Sequence, residues 1–262
     1  MTKFNINDIK KLYYEYSPLK TNQELVNLTK QYVDINVNTT NVRDIYNKLI
    51  NKYFINETVI KSAFLKKFSF KKSPKRTVTI FELNSGDSRA DICMVNGKSI
   101  AYEIKTEYDT YNRLDNQIQD YLKLHDYVNV IVPKSQLDNI LKIIPDGIGV
   151  IIYTQNRIGN ISFEEYKKPR LNVNIDPYAQ LSQLTKKELV NIVCNKKLSK
   201  DKLIDIALDV YDKTEIKNFY RESLKLKYYD KWNFLYVNQK NFYPLDYQWF
   251  FKNNLSIKTV YK

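Results

Sequence analysis

Two short segments contain the residue types that metal-assisted phosphodiester chemistry requires. Asp91 lies near the start of ADICMV (90–95), and Glu103 and Lys105 lie near the end of SIAYEIKTE (99–107). Two carboxylates on neighbouring strands, together with the Ile104 backbone carbonyl, are the oxygen ligands that a hard cation such as Mg²⁺ prefers. Lys105 follows Glu103 by two positions and shares its face of the strand. Its ammonium could therefore hold an attacking water or stabilise developing negative charge.

The turn between these segments decides whether the acidic side chains meet. Asn96-Gly97 is a strong hairpin signal. A two-residue turn would pair Asp91 with Tyr102, however, and would place Asp91 and Glu103 on opposite faces, because side chains alternate along a strand. We therefore predict a three-residue loop over residues 96–98, or a β-bulge in the hairpin.

The elements before and within this region follow from hydrophobic periodicity. Residues 1–68 are predicted to be mostly helical, with Asn41 as the N-cap of one helix. A strand starts near Thr77, and two buried strands are predicted at 127–133 and 147–154. Strands that alternate with helical segments indicate an α/β or α+β fold with a mixed central sheet flanked by helices.

Helical patterns follow the Lys105 strand and dominate the C-terminal part. A helix of roughly 14 residues is predicted from an N-cap at Asp109. Thr185 and Glu188 have capping-box spacing, and further helices are expected after Ser199 and Asp212. The pattern predicts one domain at 1–170, which includes the N-terminal helices, and a helical subdomain at 171–262. The aromatic-rich tail at 228–251 has no clear pattern.

The acidic pair, the lysine and the following helix together resemble the PD-(D/E)xK nuclease-like superfamily, over roughly residues 77–133. The helix motif Arg113-Leu114-x-x-Gln117-x-x-x-Tyr121 looks like the Gln-x-x-x-Tyr signature of RecB-type exonucleases. More narrowly, the chain resembles a family of small, largely uncharacterised bacterial and phage proteins assigned to this superfamily. The proline of the superfamily name is absent, since Ala90 precedes Asp91.

The resemblance implies a restriction-endonuclease-like core and a metal-dependent nuclease site. It implies Mg²⁺, or Mn²⁺, held by Asp91, Glu103 and the Ile104 carbonyl, with Lys105 as a catalytic residue. Gln117 and Tyr121 complete the catalytic set. Arg113 and Arg89 are expected to bind substrate. Superfamily members often use another acidic ligand, for which Glu82 and Glu57 are the candidates.

Composition excludes several other classes of enzyme. His125 is the sole histidine and there are five glycines, so a catalytic triad, a multi-histidine metal centre and a P-loop are unsupported. Cys93 and Cys194 have no partners at metal-ligand spacing, and we expect His125 and Cys93 to be structural. The absence of a signal-peptide pattern and of a membrane-length apolar run predicts a cytoplasmic protein with no membrane association.

The net charge of +13 is unevenly distributed along the chain. It is +9 for residues 1–76, −2 for 77–170 and +6 for 171–262. Basic flanks around an acidic centre suit an enzyme that acts on a nucleic acid, most readily DNA. The alternatives are an inactive nuclease-like module that binds nucleic acid, or a protein-interaction module with a partner at the helical C-terminal part, in phage–host conflict.

Overall fold

A computed structural model of the protein describes residues 5–261, which form two compact units. The first unit comprises residues 5–71, 153–163 and 233–261, and the second comprises 72–152 and 164–232. This grouping differs from the sequence-based division at residue 170. C-terminal residues join the first unit because they contact its N-terminal helices: Tyr16 donates a hydrogen bond to Asp246 at 2.9 Å, and Ser62 donates to the Pro244 carbonyl at 2.6 Å.

The described residues form twelve α-helices and six strands. The helices are α1 (Ile6–Glu15), α2 (Asn22–Tyr32), α3 (Val42–Tyr53), α4 (Glu57–Phe64), α5 (Leu114–Leu124), α6 (Leu137–Leu141), α7 (Pro177–Gln183), α8 (Lys186–Val193), α9 (Lys200–Val210), α10 (Lys213–Asn238), α11 (Tyr247–Asn253) and α12 (Ile257–Val260). The strands are β1 (Val78–Ser85), β2 (Ser88–Val95), β3 (Ser99–Ile104), β4 (Tyr127–Pro133), β5 (Gly149–Gln155) and β6 (Ile161–Lys167). The predicted α+β class, with helical N-terminal and C-terminal parts, is confirmed.

The six strands form one mixed sheet in the order β1-β2-β3-β4-β5-β6. β1, β2 and β3 pair antiparallel, whereas β4 pairs parallel to β3. The parallel step requires a crossover between β3 and β4, and α5 lies in that connection. The sequence analysis did not predict β6, because four of its seven residues are polar or charged.

Local capping signals explain where several helices begin. The predicted capping box at Thr185 and Glu188 is present, and a second one occurs at Thr21 and Glu24. Asn41 precedes α3, but its side chain makes no capping hydrogen bond to that helix. It instead accepts a hydrogen bond from the Asn38 backbone N–H at 3.1 Å. Asn41 therefore occupies the predicted N-cap position, and its carbonyl accepts from the Ile45 N–H at 3.0 Å, but its side chain bonds backward into the preceding turn.

Each unit has its own hydrophobic core. In the first unit, helices α1 to α3 bury an aliphatic cluster that includes Leu12, Leu25 and Ile50. In the second unit, Leu114, Ile118 and Tyr121 of α5 pack with residues of β3, β4 and β5. α5 therefore covers one face of the sheet. No helix within residues 5–261 has the length and hydropathy that a membrane crossing requires.

We predict that Gly149→Ala destabilises the protein, because β4 and β5 approach closely at this position. A Cβ atom on residue 149 would lie 2.1 Å from the Asn129 side-chain oxygen and 2.8 Å from Pro169. We expect a loss of about 1–3 kcal/mol in the free energy of unfolding, measured by urea denaturation. Adding Asn129→Ala should recover part of that loss in a double-mutant cycle. An unchanged urea midpoint for the single variant would contradict the close approach.

Candidate active site in the second unit

The hairpin between β2 and β3 places the predicted acidic residues opposite each other. Val95 pairs with Ser99 across a three-residue loop, and the Asn96 N–H donates to the Lys98 carbonyl at 3.0 Å. The predicted three-residue loop is confirmed. The same register pairs Ile92 with Tyr102, so one step further Asp91 stands opposite Glu103 on the same face.

A third carboxylate lies on the other neighbour of β2. The β1–β2 register pairs Phe81 with Ile92 and Leu83 with Ala90, which sets Glu82 opposite Asp91. The Glu82–Asp91 pair is missing from the ladder, and Glu82 has a φ of 54°. Such a φ is uncommon for a residue other than glycine and is often found at functional sites. A carboxylate oxygen of Glu82 lies within 4.8 Å of one of Asp91.

Lys105 lies in a buried polar network with Glu103. Its ammonium donates to Glu103 Oε1 and to Gln117 Oε1, both at 2.9 Å. Only 3% of Glu103 and 8% of Lys105 are exposed. An ion pair at this depth requires complete hydrogen bonding to offset the loss of hydration. Gln117, on α5, therefore connects the helix to the charged pair on β3.

Tyr121 satisfies the second carboxylate oxygen of Glu103. Its hydroxyl lies 2.6 Å from Glu103 Oε2 and 2.9 Å from the Arg89 carbonyl. The single hydroxyl proton is best donated to the carboxylate, because a charged acceptor makes the stronger hydrogen bond. Burial and the adjacent Glu103 carboxylate raise the pKa of Tyr121 well above its usual value. Tyr121 is thus a neutral donor that orients Glu103.

Asp91 is held by the backbone of the neighbouring strand. Its Oδ2 accepts a hydrogen bond from the Ile104 N–H at 2.7 Å. The Ile104 amide therefore lies at the site, next to both Glu103 and Lys105 in the chain. The role of the Ile104 carbonyl as a metal ligand stays a prediction.

The helix that carries Gln117 and Tyr121 begins later than predicted. α5 starts at Leu114, and Asp109 is not its N-cap. Asp109 instead accepts hydrogen bonds from the Thr106 N–H and hydroxyl, both at 2.7 Å. The error arose because an aspartate side chain can accept a hydrogen bond from a preceding backbone amide in a turn as readily as from a following amide at a helix N-cap.

The predicted substrate-binding arginines are both exposed, but their contacts differ. Arg113 directly precedes α5, one turn before the half-buried Gln117. Arg89, on β2, forms an ion pair with Glu82 at 2.6 Å. Glu57, the other predicted acidic ligand, is the first residue of α4 in the first unit, where it forms an ion pair with Lys61.

The segment 172–180 caps the C-terminal end of α5, which the sequence analysis did not identify. The Asn172 side-chain amide donates to the His125 carbonyl at 3.0 Å, and the Gln180 side chain donates to the Leu124 carbonyl at 2.8 Å. The last carbonyls of a helix have no partner within the helix. This segment supplies those partners and thereby fixes the helix that carries Tyr121. Side-chain amides are common in sequences, so their spacing contains no recognisable signal.

Asp126 and Arg221 form an ion pair that stabilises the β2–β3 hairpin, and the sequence analysis did not predict it either. Arg221, on α10, donates to both carboxylate oxygens of Asp126, at 2.8 and 3.1 Å. Asp126 in turn accepts from the Ser99 N–H at 2.7 Å, and Arg221 donates to the Gly97 carbonyl at 3.1 Å. The middle of the Asn96–Lys98 loop and the first residue of β3 are therefore both held. Because a one-residue slip would move Glu103 to the other face, this ion pair protects the register.

His125 and Cys93 are buried, as expected for structural residues. The Ser85 hydroxyl lies 3.0 Å from His125 Nε2, and the Cys93 thiol lies 4.0 Å from Nδ1. Burial raises the pKa of Cys93 to about 12, which leaves the thiol protonated and unreactive at neutral pH. Burial also lowers the pKa of His125 to about 4, although the adjacent Asp126 carboxylate opposes this shift.

Fold and site together define an α+β protein with acidic residues aligned across three strands and a buried lysine beside them. The chain belongs to the family described as Bacteriophage P4 protein cII, whose model matches residues 50–248. A curated relative, protein cII of Enterobacteria phage P4, is 24% identical over 147 residues, which cover 54% of this chain and 55% of the relative. The chain thus spans about half the length of that relative. The expected association with phage is confirmed at this level.

A solved structure also shows limited similarity. It is a protein of unknown function from Silicibacter pomeroyi, with 17% identity and a TM-score of 0.28. The match covers 40% of this chain and 67% of that protein.

We predict that Arg221→Lys weakens the β2–β3 hairpin. Lysine keeps the charge but cannot make the two parallel bonds to Asp126 or reach Gly97 at the same time. We expect a loss of about 1–3 kcal/mol in the free energy of unfolding, with faster hydrogen exchange at the Ser99 and Ile104 amides. Arg113→Lys, at an exposed position, is the matched control. Equal exchange rates in the two variants would show that Arg221 does not hold the hairpin.

A second prediction concerns the buried His125. The pKa of His125 is about 4 in the folded protein and near 6.5 in the unfolded chain. As the pH falls, the unfolded chain therefore binds a proton at His125 before the folded protein does. Stability is therefore full above pH 6.5 and falls as the pH decreases towards 4, by up to about 3 kcal/mol. Chemical denaturation at several pH values should show this slope in the wild type. His125→Gln should remove that contribution, and identical slopes would contradict the assignment.

Proposed function

We propose that the protein is a metal-dependent nuclease that hydrolyses phosphodiester bonds in DNA, built on a restriction-endonuclease-like core of the PD-(D/E)xK type. One observation carries the proposal. Asp91 stands opposite Glu103 across the hairpin, and Lys105 is buried against Glu103 with Gln117 and Tyr121 from the covering helix. A solvated charged strand face would not bury an acid, a lysine and their hydrogen-bond partners together.

The donor atoms fit a hard divalent cation. Asp91 and Glu103 offer carboxylate oxygens, the Ile104 carbonyl is the proposed third ligand, and Glu82 stands opposite Asp91 as a further acid. Mg²⁺ and Mn²⁺ favour such all-oxygen sites, whereas the described site has no thiolate or imidazole ligand that would favour zinc. When bound, the ion would lower the pKa of a water molecule and stabilise charge on the phosphate.

Lys105 provides the positive charge of the site. Its ammonium lies 2.9 Å from Glu103 Oε1 and 2.9 Å from Gln117 Oε1. Because these two acceptors already fix its position, little reorganisation is required when substrate binds. From this position the ammonium hydrogen-bonds an attacking water or a phosphate oxygen that gains negative charge. Gln117 and Tyr121 act through Lys105 and Glu103 and are positioning residues.

Charge and exposure favour a polyanionic substrate. The segments of the first unit contain 15 Lys and Arg residues against seven Asp and Glu residues. Such an excess attracts the phosphate backbone of nucleic acids without sequence preference. In the second unit, the exposed side chains of Arg89 and Arg113 are the proposed phosphate contacts.

A second candidate is a nuclease-like protein that binds nucleic acid without cutting it. The observation in its favour is that both carboxylate oxygens of Glu103 already accept hydrogen bonds, from Lys105 and Tyr121. A network that is complete without a metal could persist as a purely structural feature. This candidate predicts salt-dependent binding that survives Glu103→Gln. A protein partner at the helical C-terminal part remains a further alternative.

The decisive prediction compares Lys105→Met with the wild type on DNA in the presence of Mg²⁺ or Mn²⁺. Methionine keeps the length of the buried side chain but removes its charge. We expect cleavage to fall by about 10²–10³-fold, while salt-dependent DNA binding changes little. Lys123→Met, at an exposed position on α5, is the matched control and should retain the wild-type rate.

Folding of each variant is checked by its thermal unfolding curve, so that lost activity is not confused with lost structure. If the wild type and Lys105→Met are equally inert on linear, nicked and single-stranded DNA and on RNA, hydrolysis is excluded. Retained DNA binding would then support the second candidate. Absence of nucleic-acid binding even at low salt would contradict both.

A further inference from the structure

The first unit contains an open cavity of about 650 Å³, which is within the range of small-ligand sites. Its lining combines residues 239–244, which follow α10, with Tyr247, Tyr261 and Lys66. Lys66 belongs to a π-helical turn, Leu65–Ser69, directly after α4. π-Helical turns are rare and frequently occur at functional sites. Size and backbone geometry together mark this cavity as a candidate ligand site.

Two tyrosines that line this cavity are held in place by the protein itself. The rings of Tyr243 and Tyr261 pack edge to face, with centroids 5.2 Å apart. Tyr261 accepts from the Tyr243 backbone N–H at 3.1 Å and donates to Asp246 at 2.7 Å, and its ring lies 4.6 Å from the Arg43 guanidinium. Tyr243 is only half-buried. A fixed, partly open aromatic ring is suited to stack on a planar heterocycle, because little side-chain entropy is lost.

The two lysines of this cavity have no acidic partner. Within residues 5–261, neither Lys66 nor Lys240 forms an ion pair within 4.0 Å. Lys66 reaches solvent, but the surrounding protein atoms partly desolvate its ammonium and thereby lower its pKa. A partly desolvated ammonium without a counter-charge is stabilised by an anion. Asp44 is the one acid among the described lining residues, so the two lysines leave an excess of positive charge.

We propose that this cavity binds a nucleotide, with its base against Tyr243 and its phosphate at Lys66 and Lys240. A cationic ligand would meet like charges, and an inorganic anion would leave the aromatic ring uncovered. The nucleotide is either a free molecule or one unit of a single-stranded nucleic acid, since the bases of a duplex are stacked inside it and cannot reach the ring. The inference is independent of the nuclease proposal, because all of its residues lie in the first unit and it requires no metal ion.

The test is calorimetric titration of the full chain with adenosine monophosphate in the presence of EDTA, which removes divalent cations and with them any nuclease activity. Adenosine and inorganic phosphate, the two halves of this probe, are titrated separately. We expect each half to bind at least about tenfold more weakly than the whole, because each lacks one of the two contacts. A single-stranded oligonucleotide and the same sequence as a duplex distinguish the two sources of the ligand. Tighter binding of the single strand would identify nucleic acid, and tighter binding of adenosine monophosphate would identify a free nucleotide.

Variants assign the two contacts to their residues. Lys66→Met should weaken the binding of adenosine monophosphate by about tenfold, since a charged hydrogen bond is lost, and should leave the binding of adenosine nearly unchanged. Tyr243→Ala should weaken the binding of both by about fivefold or more, whereas Tyr243→Phe keeps the ring and should bind like the wild type. Lys48→Met removes an exposed charge of α3 outside the cavity and is the matched control. Thermal unfolding curves verify that each variant is folded.

Three results would overturn the proposal. The first is that neither adenosine monophosphate nor the single strand binds the wild type at millimolar concentration. The second is that inorganic phosphate binds as tightly as adenosine monophosphate, which would show that the ring contributes nothing. The third is that Lys66→Met and Lys48→Met, both folded, change binding equally, since the effect would then come from the general positive charge of the unit and not from this cavity.

Discussion

The register of the β2–β3 hairpin is the constraint on which the rest of the second unit depends. Side chains alternate faces along a strand, and Asp91 and Glu103 share a face because Val95 pairs with Ser99 across three loop residues. The length of the loop is not the only feature that fixes this register. The Arg221–Asp126 pair holds the Gly97 carbonyl and the Ser99 amide, and thereby connects α10 to the geometry of the site. α10 therefore contributes to the site without supplying a residue that touches it.

The charged residues of the site are costly to bury, and their neighbours offset that cost. Glu103 has a partner for each oxygen, Lys105 has two acceptors, and Asp91 accepts from a backbone amide. Removing Glu103 or Lys105 alone would leave the other charge buried without its ionic partner, which is more destabilising than the pair itself is stabilising. The left-handed conformation of Glu82 adds strain at the same place. The aliphatic packing beneath α5 stabilises this part of the unit against both effects.

The two units differ in charge as well as in architecture. The helical first unit contains most of the positive net charge, whereas the second contains 25 basic and 22 acidic residues and is nearly balanced. A balanced unit can hold acidic ligands without strong repulsion or attraction from its own surface, and a basic unit can attract a polyanion over a longer range. The first unit nevertheless buries an acidic residue of its own, Asp246, which accepts hydrogen bonds from Tyr16 and Tyr261.

The sequence by itself determined the elements whose signals are local. Apolar and β-branched runs bounded by turn residues predicted β1 to β5, and the Thr185–Glu188 spacing predicted a helix start. Strand parity required a three-residue loop or a bulge in the hairpin. The side chain of Asp109 was misread, because it bonds to a preceding turn and not to the start of a helix. Asn41 has the predicted N-cap position without the side-chain hydrogen bond that usually accompanies it. Only the tertiary structure decided the partners that are distant in the sequence, such as Arg221 with Asp126 and Asn172 with the end of α5. Long-range polar pairs depend on how separate elements pack, and no periodicity in a single sequence records that.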